Sequence, residues 1–239
     1  MKNKGMGDFV YVNGRRNLLL KIVLASSMLS IQATVYSQNF KDRLLAMQQE
    51  YTNMNNVHVV MNIQAFENEL STVSFYKESA VIKREGKNYL SQFSGMDMLM
   101  NDKYLLMVDR HSKQIICAKR DSKAEVKFFD PVKVNLDSIL GFYGTPLLVQ
   151  SENQVEQFRL DQKKGPIKVI DVYIDTNKNV LKRLDYRYED GQYVVIQFEV
   201  FDTAPVFGSA EFQESNYVVP EKGKLKPSSG YSNFNVVVN

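Results

Sequence analysis

Cysteine, tryptophan and histidine are scarce in this chain of 239 residues, which has one cysteine, no tryptophan and two histidines. A single cysteine, Cys117, excludes an intrachain disulfide, so packing alone must hold the fold together. Because Cys117 alternates with Ile115, we expect it to be a small buried side chain and not a nucleophile.

The motifs of catalysis and metal binding are also missing. His58 and His111 belong to no recognisable metal-ligand motif, and the chain has neither a phosphate-binding glycine loop nor a Gly-x-Ser-x-Gly elbow. Asp109, His111 and Ser112 are the residue types of a hydrolytic triad, but neighbours in one tight turn rarely point at one another. We therefore predict no enzyme, no cofactor and no metal, and keep an exported hydrolase as an alternative.

The longest mostly apolar stretch lies near the start of the chain. It runs from Ile22 to Val35, follows the basic pair Arg15-Arg16, and leads to Val35-Tyr36-Ser37, which suits a signal peptidase. This order predicts a cleavable secretory signal peptide over residues 1–37 and a mature domain over 38–239. A membrane anchor and a twin-arginine signal are alternatives, although the apolar run is shorter than the roughly 20 residues of a comfortable span.

Excess charge is absent from the predicted mature chain. The whole sequence carries +3, but residues 1–37 hold five of its 30 basic residues and one of its 27 acidic residues. The remaining 25 basic and 26 acidic residues give a net charge of −1, which leaves no footprint for nucleic acid. No cysteine near Ser37 can carry a lipid, so we expect a soluble exported product.

Hydrophobic periodicity predicts one helix followed by a long run of strands. Phe40, Leu44, Met47 and Tyr51 fall on one helical face. From Val57 the period becomes two, and short polar turns then separate about ten antiparallel strands. These predicted strands cover 57–66, 72–83, 89–93, 96–100, 104–108, 114–119, 154–161, 167–175, 180–188, 193–201 and 231–238.

A short second helix is predicted inside the run of strands, over residues 134–144, because Asn135 suits its start and Gly144 its end. A single curved sheet of this size must close or be covered. The fold class is therefore mainly β: a half-open barrel formed by one curved antiparallel sheet and covered by the N-terminal helix and the inserted helix.

Three passages resemble the LolA-like periplasmic lipoprotein carriers, a superfamily that includes outer-membrane lipoprotein-sorting proteins. The passage from Asn101 to Asp109, followed by Lys113 to Ile116, resembles a hairpin of that family. Tyr173 to Gly191 is similar to its later strands, and Tyr231 to Val237 to its closing strand. The resemblance covers most of residues 39–238.

This resemblance implies a periplasmic carrier that holds the acyl chains of lipoproteins, or another lipid, in an apolar hollow and moves them towards the outer membrane. It also implies an inner-membrane ABC transporter as donor and an outer-membrane acceptor, and we expect a monomer. The alternative is an envelope sensor or assembly protein that uses the same fold to bind a protein partner through its sheet edge or helices.

Alternation along the strands selects the residues that would line such a hollow. Flexible, polarizable methionines suit a pocket that repacks around mobile chains, although alternation alone does not distinguish a pocket from an ordinary core. The candidates are Val59, Met61, Ile63, Phe75, Met98, Met107, Ile116, Val172, Leu184, Tyr186, Ile196 and Phe198.

Overall fold

The computed structural model describes residues 39–51, 54–120 and 143–238. The predicted signal peptide and its cleavage site, and all but the last two residues of the predicted inserted helix, lie outside the described residues. Helix α1 occupies residues 39–51, as its periodicity predicts. No helix in the described part of the chain is long and apolar enough to cross a lipid bilayer.

Fourteen strands make up most of the described chain. The first seven are β1 (Asn56–Phe66), β2 (Tyr76–Glu85), β3 (Asn88–Phe93), β4 (Met96–Met100), β5 (Tyr104–Asp109), β6 (Gln114–Lys119) and β7 (Leu147–Glu152). The others are β8 (Val155–Asp161), β9 (Ile167–Asp175), β10 (Val180–Tyr188), β11 (Tyr193–Asp202), β12 (Val218–Glu221), β13 (Lys224–Pro227) and β14 (Asn235–Val238).

Twelve of these strands form one sheet in the order β14-β6-β5-β4-β3-β2-β1-β11-β10-β9-β8-β7, while β12 and β13 form a separate hairpin. The sheet is large and curved and does not close into a barrel, which confirms the predicted fold class. Most neighbouring strands are antiparallel, because short polar turns connect them. The exception is β14, which lies parallel to β6.

The strand predictions differ from the structure in four places. Strand β2 begins at Tyr76, not at Thr72, and the edge strand β7 was not predicted. The hairpin of β12 and β13 was not predicted either, and its two prolines, Pro220 and Pro227, explain why. The last strand is shorter than predicted and begins at Asn235.

The two faces of the sheet are covered by different parts of the chain. On the face that we call the helix face, α1 packs through Phe40 and Met47 on buried residues of β8 and β9. On the opposite face, the tail face, residues 205–238 pack on β3 to β6 through side chains that include Phe212, Tyr217 and Val218. The described residues therefore form two hydrophobic clusters, one on each side of a single sheet.

Candidate functional site

Strand register places eleven of the twelve candidate residues on the helix face. Directly paired residues of neighbouring strands point to the same side of a sheet. One row of partners runs through Val59, Ile82, Ser91, Met98, Met107 and Ile116. A second row runs through Ile63, Ile196, Leu184, Val172 and Phe158. Met61 pairs with Phe198, and Tyr186 lies two residues beyond Leu184.

Phe75 does not share this face. It precedes β2 in the connection that follows β1, and its side chain is 58% exposed. The inward position predicted for Phe75 is therefore wrong. Strand β2 begins at Tyr76, so Phe75 lies just before the strand whose alternation was used to predict its direction. Ile82, which the candidates omit, pairs with Val59 in the first row. The alternation of Ala80 and Ile82 in β2 was the signal that could have found it.

Helix α1 covers one part of the helix face and leaves another part accessible. Val172 is buried beneath it, and Leu184 and Tyr186 pack at the margin of the same cluster. Across β11, β1, β4, β5 and β6, the candidates other than the buried Val59 are only partly buried. We call this partly exposed set the apolar strip. Its members are Met61, Ile63, Met98, Met107, Ile116, Ile196 and Phe198.

Methionine is concentrated in the apolar strip. Met98 of β4 pairs directly with Met107 of β5, and Met107 pairs with Ile116 of β6. Met96 and Met100 have the same strand parity as Met98; the first is exposed at one end of β4 and the second buried at the other. Unbranched thioether side chains can repack around a ligand of variable shape.

Helix α1 is attached to the sheet by apolar, aromatic and ionic contacts. The rings of Phe40 and Phe158 lie 4.9 Å apart between centroids, and Tyr51 stacks on Phe201 at 5.4 Å. Arg43 donates to both carboxylate oxygens of Glu156, at 2.7 and 3.1 Å. Burial raises the pKa of Tyr51 to about 12.

An ionic cluster lies on the tail face of β8 to β10. Asp171 accepts hydrogen bonds from Arg159 at 2.8 and 2.9 Å and from Arg187 at 2.8 Å. Asp185 accepts from Arg183 at 2.6 and 2.9 Å. Each partly exposed guanidinium thus donates to a buried carboxylate, and this half of the tail face presents a polar surface.

A mostly polar cleft of about 430 Å³ opens at the end of β2 and β4, beside the tail. Asn101, Lys103 and Glu214 contribute to its wall, together with Phe207 and Phe212. Asn101 and Lys103 both donate to the carboxylate of Glu214, at 2.8 Å each. Because its polar groups bind one another, this cleft is not the apolar hollow expected from the sequence.

The hydrogen bonds of the turn that contains His111 stabilise the turn itself. Asp109 accepts from the backbone N–H groups of His111 and Ser112 and from the Ser112 hydroxyl, at 2.8, 3.2 and 2.6 Å. The His111 ring lies instead against the carbonyl oxygen of Ser94, 3.3 Å away. These three side chains therefore do not form a triad.

Cys117 and the potential metal-ligand side chains of the described residues also form no recognisable catalytic or metal site. Cys117 is buried in the tail-face cluster, and burial raises the pKa of its thiol. Within the described residues, no three histidine, cysteine, aspartate or glutamate side chains are grouped to hold a metal ion. The most distinctive surface of this part of the molecule is therefore the apolar strip.

The described residues form an open, curved sheet that is antiparallel except for β14, with a helix on one face. This is the architecture that the resemblance implied. No family model and no curated protein matches the sequence. Among solved structures, an uncharacterized conserved protein from Thermus thermophilus is similar at a TM-score of 0.44 and 8% identity, over 84% of this chain and 99% of that chain.

Two further solved structures are similar to this chain. The complex of MucA and MucB from Pseudomonas aeruginosa matches at a TM-score of 0.45 and 12% identity, over 72% of this chain and 59% of that chain. A LolA superfamily protein from Nitrosomonas europaea matches at a TM-score of 0.30 and 10% identity, over 71% and 97%. Likenesses this distant carry no argument about function, which must be argued from this chain's own residues.

Proposed function

We propose that this protein is a non-catalytic carrier that binds an acyl chain of a lipoprotein or lipid on the apolar strip. The observation that supports the proposal is the run of partly exposed, directly paired apolar side chains on the helix face, centred on Met98, Met107 and Ile116. Grouped apolar side chains that stay partly exposed mark ligand or partner sites more often than single ones do.

The energy available from such a surface is adequate for a carrier. Burying an acyl chain of about 16 carbons contributes on the order of 12 kcal/mol before costs. Association and ordering offset several kcal/mol of that sum. The net affinity would hold a chain and still permit its release.

The working location and the route belong to the same proposal. An exported carrier would act between the membranes of the envelope after cleavage of residues 1–37, as a monomer that receives its cargo from an ABC transporter and delivers it to an outer-membrane acceptor. The absence of a modifiable cysteine near Ser37 supports a carrier that moves freely.

Mass spectrometry of organic extracts from the purified protein tests the proposal. We expect acyl-chain material in the wild-type extract and its loss from Met107→Asp, because a carboxylate in the middle of the strip cannot be desolvated by an acyl chain. Val149→Asp is the matched control, since Val149 is an exposed apolar residue on the edge strand β7. Wild-type extracts without acyl material, or equal loss in both folded variants, would contradict the proposal.

A protein-binding role is the second candidate, and the edge of the sheet is the observation that favours it. Among the described residues, β7 is the last strand of the sheet and has no partner on one side, and both Leu147 and Val149 on it are exposed. A strand added by a partner would form hydrogen bonds with the backbone N–H and C=O groups along that edge. This role predicts purified protein free of acyl material and a stable complex that Val149→Pro disrupts.

A further inference from the structure

The connection between β1 and β2, residues 67–75, presents three large apolar side chains to solvent. Leu70 is 91% exposed, Val73 79% and Phe75 58%. Single exposed apolar residues are normal on protein surfaces, whereas a group of them marks an interaction site. Three within six residues of one connection, which we call the β1–β2 loop, form such a group.

Internal contacts hold the β1–β2 loop in a defined shape. The side-chain oxygen of Asn68 accepts from the Leu70 N–H at 3.0 Å, and the Asn68 carbonyl accepts from the Ser71 N–H at 3.1 Å. At the far end of the loop, the Phe75 N–H donates to the Ala65 carbonyl at 2.9 Å. The apolar side chains are therefore displayed by a built turn.

The loop is also fixed to the sheet by charge. Arg187 donates to both carboxylate oxygens of Glu69, at 2.5 and 2.9 Å, and a third nitrogen of Arg187 donates to Asp171 at 2.8 Å. Asp171 is fully buried. The side chains of Leu70 and Val73 thus project from an anchored base, which reduces the conformational entropy that docking would cost.

Other apolar residues lie at the same end of the sheet. Phe93 and Met96 pair directly across the turn between β3 and β4, and both are exposed. Their strand positions place them on the helix face, at the end of the apolar strip. The loop and this turn together give one end of the sheet an apolar character.

We propose that the β1–β2 loop docks the protein on the surface of a lipid bilayer by inserting Leu70, Val73 and Phe75. Side chains that are mostly exposed need no complementary pocket in a fluid bilayer, whereas a protein partner would have to supply one. The loop's charged residues are acidic, Glu67 and Glu69, so attraction to anionic headgroups is not the driving force. Three side chains bury less apolar surface than one acyl anchor, which makes the docking reversible.

The lack of tryptophan in the chain provides a direct test. Leu70→Trp introduces a single tryptophan at the tip of the loop, and we expect its emission to shift to the blue when zwitterionic phosphatidylcholine vesicles are added. Val206→Trp is the matched control, because Val206 is 98% exposed and follows β11 at the opposite end of the sheet. No shift at position 70, or equal shifts at both positions, would overturn the proposal.

Co-sedimentation with the same vesicles measures the contribution of the loop without a fluorophore. We expect the double variant Leu70→Ser, Val73→Ser to partition at least about tenfold less than wild type, and Val206→Ser to partition like wild type. Added salt should leave the wild-type partition unchanged. Release by salt, or no wild-type partition at all, would overturn membrane docking.

Docking does not depend on the carrier proposal, and the two can fail separately. The loop variant should retain whatever acyl material is extracted from the wild type, because its substitutions lie outside the apolar strip. The Met107→Asp variant, which tests the strip, should keep the vesicle partition of the wild type. Loss of vesicle partition in Met107→Asp, with the loop intact, would overturn docking through the loop.

Discussion

Asp171 and Asp185 are almost completely buried on the tail face, and arginine and tyrosine side chains surround them. Asp185 accepts from the hydroxyl groups of Tyr193 at 2.8 Å and Tyr173 at 3.2 Å, in addition to Arg183. Buried carboxylates are tolerated only when they are paired and hydrogen-bonded in this way. The burial of each carboxylate in the cluster is therefore tolerated because of its hydrogen-bond partners and not because of its own propensity for a strand.

Replacing Asp171 by asparagine should lower the free energy of unfolding at pH 7 by about 1–3 kcal/mol, since Arg159 and Arg187 lose a charged acceptor. Partial exposure of both guanidinium groups to water limits this cost. Urea unfolding of wild type and variant measures the difference. Asp161→Asn, at an exposed position on the same face of β8, should have little effect.

The pH dependence of the same variant follows from the pKa of Asp171. Burial alone would raise that pKa, but the hydrogen bonds and charges of Arg159 and Arg187 outweigh burial and lower it. The stabilisation is therefore complete above the unfolded-state pKa of about 4 and is lost as pH falls through the lower folded-state value. The stability gap between wild type and Asp171→Asn should narrow below about pH 4; a gap independent of pH would contradict the role of this carboxylate.

At the scale of elements, α1 contributes by covering β8 and β9 with one face. Phe40 and Met47 are buried there, while Leu45 on another side of the helix is 40% exposed. An isolated helix of this length is marginal in water, so its stability must come from these tertiary contacts. Side chains on the two sides of α1 should consequently differ in their effect on folding.

Phe40→Ala should destabilise the protein by about 3–4 kcal/mol, because it removes a buried ring that packs 4.9 Å from that of Phe158. Leu45→Ala should change stability by less than about 1 kcal/mol. Thermal or denaturant unfolding of the two variants provides the comparison. Similar losses in both would mean that α1 does not pack on the sheet through Phe40.

The elements that the sequence predicts best are those whose alternation is strong and whose turns are polar. Strands β9 and β10 begin and end where predicted, with Leu184 and Tyr186 on one face and Arg183, Asp185 and Arg187 on the other. Strand β7 was missed because its three apolar residues come first and its polar residues follow, without alternation. The parallel partner of β14 could not be predicted, since β6 lies more than 100 residues earlier.

At the scale of the whole molecule, hydrophobic periodicity does not predict how the tail, residues 205–238, packs on the sheet. The segment Leu105-Leu106-Met107-Val108 is continuously apolar, which is typical of a strand covered on both faces. Leu106 and Val108 are completely buried on the tail face, and Met107 lies on the helix face. The sequence thus contained a signal for apolar side chains on both faces of β5, but not for what covers the tail face, because Phe212 and Tyr217 lie outside the strands and Val218 begins the unpredicted hairpin of β12 and β13.

Phe212→Ala should destabilise the tail-face cluster by about 3–5 kcal/mol and increase the rate at which Cys117 reacts with iodoacetamide. Cys117 is fully buried in the same cluster, so its labelling reports opening of the tail from β6. Val206→Ala, at an exposed position in the same tail, serves as the control. An unchanged labelling rate in Phe212→Ala would show that Cys117 is protected independently of the tail.

The arrangement of the tail has a consequence for the order in which the protein matures. Leu90, Leu99 and Leu106 are buried by residues that follow them by roughly 100 positions, such as Phe212 and Val218. A chain that emerges from the ribosome in order must therefore keep these leucines solvent-exposed until the tail has been synthesised. During that interval β3 to β6 expose apolar surface, which makes the incomplete chain prone to aggregation.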